Sequence, residues 1–313
     1  MNSIPQVQIE ATQLDRLAAQ RELYSRAKRV QAWQLILSVP CVIAWSFVVM
    51  AFPALRSYAA LWAIGVTLLD LVALDRWQKS LKERAARIQE QFDCDVLQLA
   101  WPDLKGPRPD AEQVAEESSS YRRTDPQFTT IRDWYAPAVG RLPIHLGRLV
   151  CQRSSCWWDA KLRRRYSVSV LIALGLFSTL IVAVSLHESA SLENFVLTGI
   201  TPLMPAITLA IKQFSEHNAA AARADRLRDT SQKFWREALY EHLAVEEVSS
   251  RSRQLQDEIF EHRRQSPLIF DWIYQRLRNK HEELMNKGAE ALVKEAEDFR
   301  GRLTQAGGLM SSS

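Results

Sequence analysis

The sequence is poor in the residues from which most enzyme and metal sites are built. Of its 313 residues, only 10 are glycine, 6 are histidine and 4 are cysteine. It contains no GxxxxGK phosphate loop, no GxSxG nucleophile elbow and no HExxH metal motif. Hydrolysis or phosphoryl transfer needs a constellation of that kind. We therefore expect that the protein is not an enzyme and that it holds no metal and no resident cofactor.

The few cysteines argue against disulfides and against zinc. Cys41 lies in an apolar run, and the other three fall in segments that we place in the reducing cytoplasm, where disulfides are rare. Cys151 and Cys156 lack the CxxC spacing, and no second pair of cysteines exists to complete a zinc site.

Charge is nearly absent from four long stretches. No charged residue lies between Arg29 and Arg56, within Tyr166–Leu186 or within Phe195–Ile211, and Ser57–Leu74 contains a single charge at Asp70. A helix needs roughly 20 apolar residues to cross a hydrocarbon core of about 30 Å. The first and third stretches meet that length, and the other two are slightly short. We predict four transmembrane helices arranged as two hairpins.

The distribution of lysine and arginine predicts the orientation of these hairpins. The links at 53–57 and 187–194 carry one basic residue, Arg56, whereas the opposite flanks of every span are rich in lysine and arginine. By the positive-inside rule, both termini and the long middle segment face the cytoplasm. The first apolar run reads as a signal anchor that is not cleaved. Since the net charge of +4 comes mostly from these flanks, we expect no stable binding of nucleic acid.

The pattern as a whole predicts an all-α protein. Its predicted segments are an amphipathic cytoplasmic helix at 1–32, a first hairpin at 33–75, a cytoplasmic insert at 76–165, a second hairpin at 166–212, a helical stalk at 213–301 and a disordered tail at 302–313. Within the insert, residues 102–127 are rich in proline, serine and acids, and this composition predicts a flexible loop. The heptads of the stalk are not strict, so a coiled coil remains one alternative for it.

Assembly is predicted from the C-terminal helices. Beyond Pro267, apolar residues recur at helical spacing on one face. The candidates for contacts between copies are Ile269, Trp272, Ile273 and Leu277. If the predicted spans line a pore, four-span subunits would need several copies, and we then expect a homo-oligomer in the lipid bilayer.

Two features of the predicted spans are candidates for a pore or gate. Asp70 either lines an ion path or marks the cytoplasmic boundary of the second span. In the fourth span, Pro202 and Pro205 would kink the helix and free backbone carbonyls. Thr198 and Thr201 would then either line a pore or satisfy those carbonyls. The sequence leaves both alternatives open at each place.

A cluster of aromatic and basic residues in the insert predicts a ligand site. Arginine binds phosphate through its guanidinium fork, and an aromatic ring stacks on a base, so the two together favour a nucleotide. The candidate residues are Trp134, Tyr135, Arg141, Arg148 and Arg153. The alternative is an interfacial belt of aromatic and basic anchors, which fits Trp157–Tyr166 well because that segment adjoins a predicted span.

The order of short motifs along nearly the whole chain resembles the SMODS-associating four-transmembrane effectors. The matching motifs are Phe92-Asp93, Asp133-Trp134-Tyr135, Pro143, Cys151-Gln152-Arg153, Trp158-Asp159, Leu162-Arg163-Arg164-Tyr166, the run from Pro267 to Tyr274, and Leu277-Arg278. Each motif alone is short, and their order carries the resemblance.

The resemblance implies an effector of bacterial anti-phage signalling that resides in the inner membrane. In such systems a partner nucleotidyltransferase makes a cyclic nucleotide or cyclic oligonucleotide. That signal would activate the effector, which forms or opens a membrane pore and causes abortive infection. The residues themselves leave an alternative, a non-conducting membrane scaffold or sensor that recruits partners through its C-terminal helices.

Overall fold

A computed structural model describes residues 1–187, 204–241 and 243–310. Within these ranges the chain is helical and contains no strand, which confirms the predicted all-α class. The α-helices are α1 (Ile4–Val7), α2 (Ala11–Ser38), α3 (Pro40–Ala51), α4 (Arg56–Leu69), α5 (Asp75–Val96), α6 (Ala111–Thr124), α7 (Ile144–His187), α8 (Met204–Tyr240), α9 (Val245–Gln265) and α10 (Asp271–Met310). A π-helical segment, Asp70–Leu74, joins α4 to α5.

Two stretches are long and apolar enough to cross a membrane. They are Ala11–Val49, which comprises α2 and most of α3, and Pro53–Val96, which begins just before α4 and includes α5. The rest of the described chain does not bury the apolar window of either stretch. Burying apolar surface away from water is worth about 25 cal/mol per Å². Lipid is therefore the favourable surrounding for both windows.

The other two predicted spans fall on α7 and on residues that the structure describes only in part. The second half of α7 exposes Val168, Ile172, Leu176 and Leu180, which is the pattern that a lipid-facing helix has. The fourth predicted span, 195–211, lies largely outside the described residues. A four-span topology therefore stays a prediction.

The polar parts of the described helices pack into one bundle. Apolar residues spaced by three or four on α5, including Leu81, Ala85 and Ile88, pack against Leu23 and Ala27 of α2. Helices α7 and α8 pack along each other. A larger core lies where the ends of α5 and α7 meet α8, α9 and α10, and it contains the fully buried rings of Phe92 and Trp235.

The predicted flexible loop is wrong for residues 111–124, which form α6. This helix packs on α2 and buries Val114, Glu117 and Ser118. Glu117 forms ion pairs of 2.8 Å with Arg26 and Arg84. The segment is therefore ordered by charge pairing with distant helices, which its own composition does not reveal.

The segments predicted to form a stalk and a disordered tail also differ from that prediction. The chain turns between α8 and α9, and both helices pack against α7 within the bundle, with Trp235 and Leu239 buried. A stalk would leave such residues in water. Helix α10 continues to Met310, so residues 302–310 are helical rather than disordered.

Candidate functional site

A cavity of about 410 Å³ lies in the helical bundle between α2, α7, the end of α9 and the beginning of α10. Its lining combines aromatic rings with charges of both signs. The aromatic residues are Tyr24, Trp134, Trp158 and Tyr274. The cations are Arg21, Lys28, Arg163, Arg263 and Arg278, and the acids are Asp133, Asp159, Asp271 and Glu282.

Helical spacing and one turn bring these residues together. On α2, Arg21, Tyr24 and Lys28 are separated by three and four residues, so they share one face. The residue before a proline avoids the helical conformation, and α9 accordingly ends at Gln265, just before Ser266-Pro267. The turn places the first residues of α10, including Asp271 and Tyr274, opposite α2.

Most of the charges in the cavity are paired. Arg163 donates from Nε to Asp159 at 2.6 Å, and His262 Nε2 lies 2.6 Å from the same carboxylate. Burial opposes the ionisation of Asp159, but Arg163 and His262 outweigh it and hold the pKa of this carboxyl below its ordinary value. Asp159 is therefore a fixed anion that orients its two neighbours.

Lys28 connects α2 to α10 across the cavity. Its Nζ lies 2.5 Å from Asp271 Oδ1, and Ser25 Oγ lies 3.4 Å from the other oxygen of that carboxylate. Burial lowers the pKa of Lys28, because the ammonium loses water that Asp271 only partly replaces. A second anion in the cavity would therefore interact favourably with Lys28.

Arg21 differs from the other cations of the cavity, because it contacts no carboxylate among the described residues. Its guanidinium lies 4.6 Å from the centroid of the Tyr274 ring, and Nη1 donates to the Tyr274 hydroxyl at 3.4 Å. A guanidinium stacked on an aromatic ring retains donors that can bind a phosphate. Arg21 is the cation best placed to receive an anionic ligand.

The cavity is close to both apolar segments that leave the bundle. Lys28 precedes the apolar side chain of Trp33 on the α2–α3 stretch, and Arg163 precedes Val168 on α7, in each case by less than about two helical turns. A ligand that changes the separation of α2 and α7 at the cavity would move the beginnings of both apolar segments.

The structure does not bring the five predicted ligand residues together, and Trp134 is the one among them that lines the cavity. Tyr135 is buried in the core, where its hydroxyl donates to Asp93 Oδ1 at 2.6 Å. Arg141 is on the surface and pairs with Glu290 and Glu297 of α10. These contacts give Tyr135 and Arg141 structural roles.

Arg148 and Arg153 are also placed away from the cavity. Arg148 is buried and donates to the carbonyls of Leu97 at 2.5 Å and Gln98 at 2.6 Å, just beyond the end of α5. A cation at this end of a helix interacts favourably with its dipole. Arg153 is half-buried, and burial lowers the pKa of its guanidinium. Neither arginine lines the cavity, and a ligand role for them stays a prediction.

Most of the residues that line the cavity are not among those predicted from the sequence to bind a ligand. Tyr274 and Arg278 belong to motifs that supported the family resemblance, but no ligand role was assigned to them. The helical spacing of Arg21, Tyr24 and Lys28 was the signal that could have identified the α2 face. Nothing in the local sequence indicates that this face meets α10.

Two of the five candidate pore residues, Asp70 and Pro205, lie within the described residues. Asp70 is half-buried and accepts a hydrogen bond of 2.6 Å from Gln34 Nε2 of α2, so it pairs two helices of the first hairpin. Thr198, Thr201 and Pro202 lie outside the described residues. Pro205 falls in the first turn of α8, where a helix tolerates proline. Their roles in a pore stay predictions.

The predicted oligomerisation face divides into two parts. Ile269 and Ile273 are buried within the chain against Leu162 and Tyr166 of α7, so they do not form a free surface. Trp272 points away from this cluster and is 66% exposed. Leu277 lies on α10, and its side chain is outside the description. Two of the four residues therefore face the interior of the chain and Trp272 faces its surface, and assembly through them stays a prediction.

The part of the chain that the structure describes contains no group of three or more His, Cys, Asp or Glu side chains that could hold a metal ion. The four cysteines are free, and three of them are buried.

Comparison with known proteins gives two matches and one negative result. The family model described as "SMODS-associating 4TM effector domain" matches residues 2–292. A protein of Bacillus cereus (strain VD146) described as "Probable CBASS effector molecule" is 23% identical over 280 residues, which cover 87% of this chain and 92% of that protein. No solved structure matches this chain.

Proposed function

The chain belongs to the SMODS-associating 4TM effector family, and from this membership we propose that it is a membrane effector activated by a cyclic nucleotide. On activation it oligomerises and forms or opens a pore in the bacterial inner membrane, and this damage causes abortive infection. A partner nucleotidyltransferase supplies the nucleotide. The description of the Bacillus cereus relative as a CBASS effector supports the pathway.

The observation that carries the proposal is the cavity between α2, α7 and α10. A cyclic nucleotide has flat bases and anionic phosphates. The cavity offers Tyr24, Trp134 and Tyr274 as aromatic faces and Arg21 as a cation without a carboxylate partner in the described chain. Stacking on one ring is worth about 1–3 kcal/mol per base.

The position of the cavity supports a gating role for the ligand. Lys28 and Asp271 join α2 to α10 through an ion pair. A phosphate that binds Arg21 would compete with Asp271 for Lys28 and weaken this connection. Because α2 continues towards the first apolar segment, the ligand would shift the equilibrium between a closed and an open arrangement of the hairpins.

The pore itself requires the four-span topology and more than one copy. Each subunit would contribute one or two lining helices, for which the candidates are the second span with Asp70 and the fourth with Thr198 and Thr201. The exposed apolar side chains of α4 and of the second half of α7 support insertion of both hairpins.

Equilibrium binding of a panel of cyclic di- and trinucleotides to the purified full chain tests the site. Arg21→Gln should weaken binding of the active nucleotide roughly 10- to 150-fold, since a hydrogen bond to a charged group contributes about 1.5–3 kcal/mol. Arg141→Gln, a surface arginine outside the cavity, should change it less than about two-fold. If Arg141→Gln weakened nucleotide binding more than Arg21→Gln did, the site would instead lie at the residues predicted from the sequence. Unchanged thermal melting of Arg21→Gln serves as the control for folding.

A further inference from the structure

A second concave site lies between α7 and the beginning of α10, outside the cavity. It has a volume of about 850 Å³. Its lining contains Trp157, Lys161, Arg164, Arg165, Trp272 and Arg276. We call these six residues the basic cleft. It combines two tryptophans with four cations, and it is open to the surface.

Three of the four cations are unpaired in the described part of the chain. Lys161, Arg165 and Arg276 are exposed, and no described carboxylate lies within ion-pair distance of any of them. Arg164 does pair with a carboxylate, that of Asp225 on α8. Unpaired cations converging from two helices repel one another, so an anion between them would be stabilising.

Trp272 gives the cleft an apolar wall that the bundle does not use. Its side chain is 66% exposed, although its neighbours Ile269 and Ile273 are buried. It does not flank a predicted span, so the positive-inside rule and the aromatic belt of a span do not account for Trp272 or Arg276. Tryptophan is nevertheless enriched wherever a protein meets the membrane interface, because its ring is apolar and its N–H group is polar.

The cleft lies at the level where α7 becomes apolar. Lys161–Arg165 precede Val168 and Ile172, whose side chains are exposed along the second half of α7. If α7 enters the membrane there, the cleft faces the phosphate layer of the inner leaflet, and the exposed side chains of α7 face the acyl chains. Basic pockets on the cytoplasmic side of membrane helices bind anionic headgroups.

We propose that the basic cleft binds the phosphate headgroup of an anionic phospholipid of the inner leaflet. Lys161, Arg165 and Arg276 bind the phosphate, and Trp272 packs on the glycerol and upper acyl region. The bound lipid would connect α10, which carries part of the cavity, to the membrane surface. The proposal goes beyond the proposed function and rests on it for the membrane insertion of α7.

The test is retention of lipid by the purified full chain in mild detergent, measured by native mass spectrometry during titration with phosphatidylglycerol or phosphatidylcholine. Wild type should retain the anionic lipid and not the zwitterionic one. Arg165→Gln and Arg276→Gln should each weaken retention about five-fold, since a cation near an anionic surface contributes about 1 kcal/mol. Trp272→Ala should weaken it as well, and its melting temperature should stay that of wild type because the side chain is exposed.

Matched controls come from α5. Arg76 and Trp77 are an exposed cation and an exposed tryptophan beside the second predicted span, outside the cleft. Arg76→Gln and Trp77→Ala should leave retention unchanged. If the cleft variants and the α5 variants lost lipid retention equally, the positive charge of the surface as a whole would bind the lipid. That result would overturn a specific site.

Three further outcomes would contradict the proposal. Displacement of the retained lipid by millimolar inorganic phosphate would indicate a site for a soluble anion. A changed oligomer distribution in Trp272→Ala, with unchanged lipid retention, would indicate that a second copy covers the cleft. Equal retention of both lipids would exclude an anionic headgroup site. If the proposed function is wrong, the protein should bind no nucleotide but should still retain the anionic lipid. This result is distinguishable from a failure of lipid binding at the basic cleft.

Discussion

Lys28 and Asp271 are the pair of residues on which the proposed gating depends most. The lysine side chain is 18% exposed and the aspartate 44%, so the pair is partly open to water and its contribution is modest. It joins α2 to α10, and under the proposed function an anionic ligand would replace the carboxylate. The ion pair would therefore oppose activation.

Asp271→Asn should consequently make activation easier. Without its carboxylate partner, Lys28 is available to the ligand, and the activating nucleotide concentration should fall about 2- to 10-fold. Dose–response curves for leakage from liposomes measure this. Glu283→Gln removes a carboxylate from an exposed pair on the same helix and should have no effect. An unchanged or higher activating concentration in Asp271→Asn would argue against competition for Lys28.

His217 of α8 should make stability depend on pH. Its side chain is fully buried beside Tyr166, and burial lowers its pKa from 6.5 to about 3. The unfolded state then takes up the proton first as the pH falls below 6.5, and the folded state follows only near 3. The free energy of unfolding should decrease by about 1.4 kcal/mol per pH unit across that window.

Thermal melting in detergent at pH 7 and pH 5 tests this expectation. Wild type should lose about 2 kcal/mol of stability between the two values through this residue. His217→Gln, although less stable at pH 7, should lose correspondingly less on acidification. If wild type and His217→Gln lost the same stability between pH 7 and pH 5, His217 would be protonated without cost in the folded state.

At the scale of the elements, the sequence predicts those that depend on local pattern. The apolar runs that hold α3 and α4 and the helical spacing on α5 were visible, because length and periodicity alone determine them. Helix α6 was missed because its stability depends on Glu117 meeting Arg26 and Arg84, which lie far away in the chain. The turn between α8 and α9 was missed because no proline or glycine marks it.

The lining of the cavity is predicted less well than the fold for a related reason. Trp134, which a ring beside basic residues predicts as a ligand residue, does line the cavity, and its role in binding stays a prediction. Arg21 and Tyr274 are separated by most of the chain and meet only after α10 packs against α2. Arg148, by contrast, is a residue type that often binds phosphate, but its guanidinium donates to a backbone carbonyl just beyond the end of α5.

Glu117 should determine whether α6 stays on the bundle. Its carboxylate is buried, while its partners Arg26 and Arg84 are about one-third exposed, so Glu117→Ala should cost about 1–3 kcal/mol. Helix α6 would then detach more often, and trypsin should cleave at Arg122 or Arg123 faster. Limited proteolysis followed by mass spectrometry measures the rate.

Glu116 is the matched control for this change, because it is the neighbouring glutamate on α6 and is exposed. Glu116→Ala should leave the rate of cleavage as in wild type. Equal rates in the two variants and in wild type would mean that Glu117 does not hold the helix in place.

At the scale of the whole molecule, two apolar hairpins would be joined to one bundle that contains the cavity. This arrangement depends on the topology predicted from the charges. A protease-cleavable tag inserted at residues 188–194 should be cut from the periplasmic side, and tags at either terminus should be protected. The reverse pattern would place the cavity outside the cytoplasm and remove it from the reach of a cytoplasmic nucleotide.

The central claim is that this chain alone makes a membrane permeable when a nucleotide occupies the cavity. Liposomes containing only the purified full chain and a trapped dye, exposed to a panel of cyclic di- and trinucleotides, test it most directly. We predict release with at least one nucleotide. Arg21→Gln should need roughly 10- to 150-fold more of it and reach the same maximum. Vesicles that stay intact across the whole panel, with protein inserted and folded, would contradict the account.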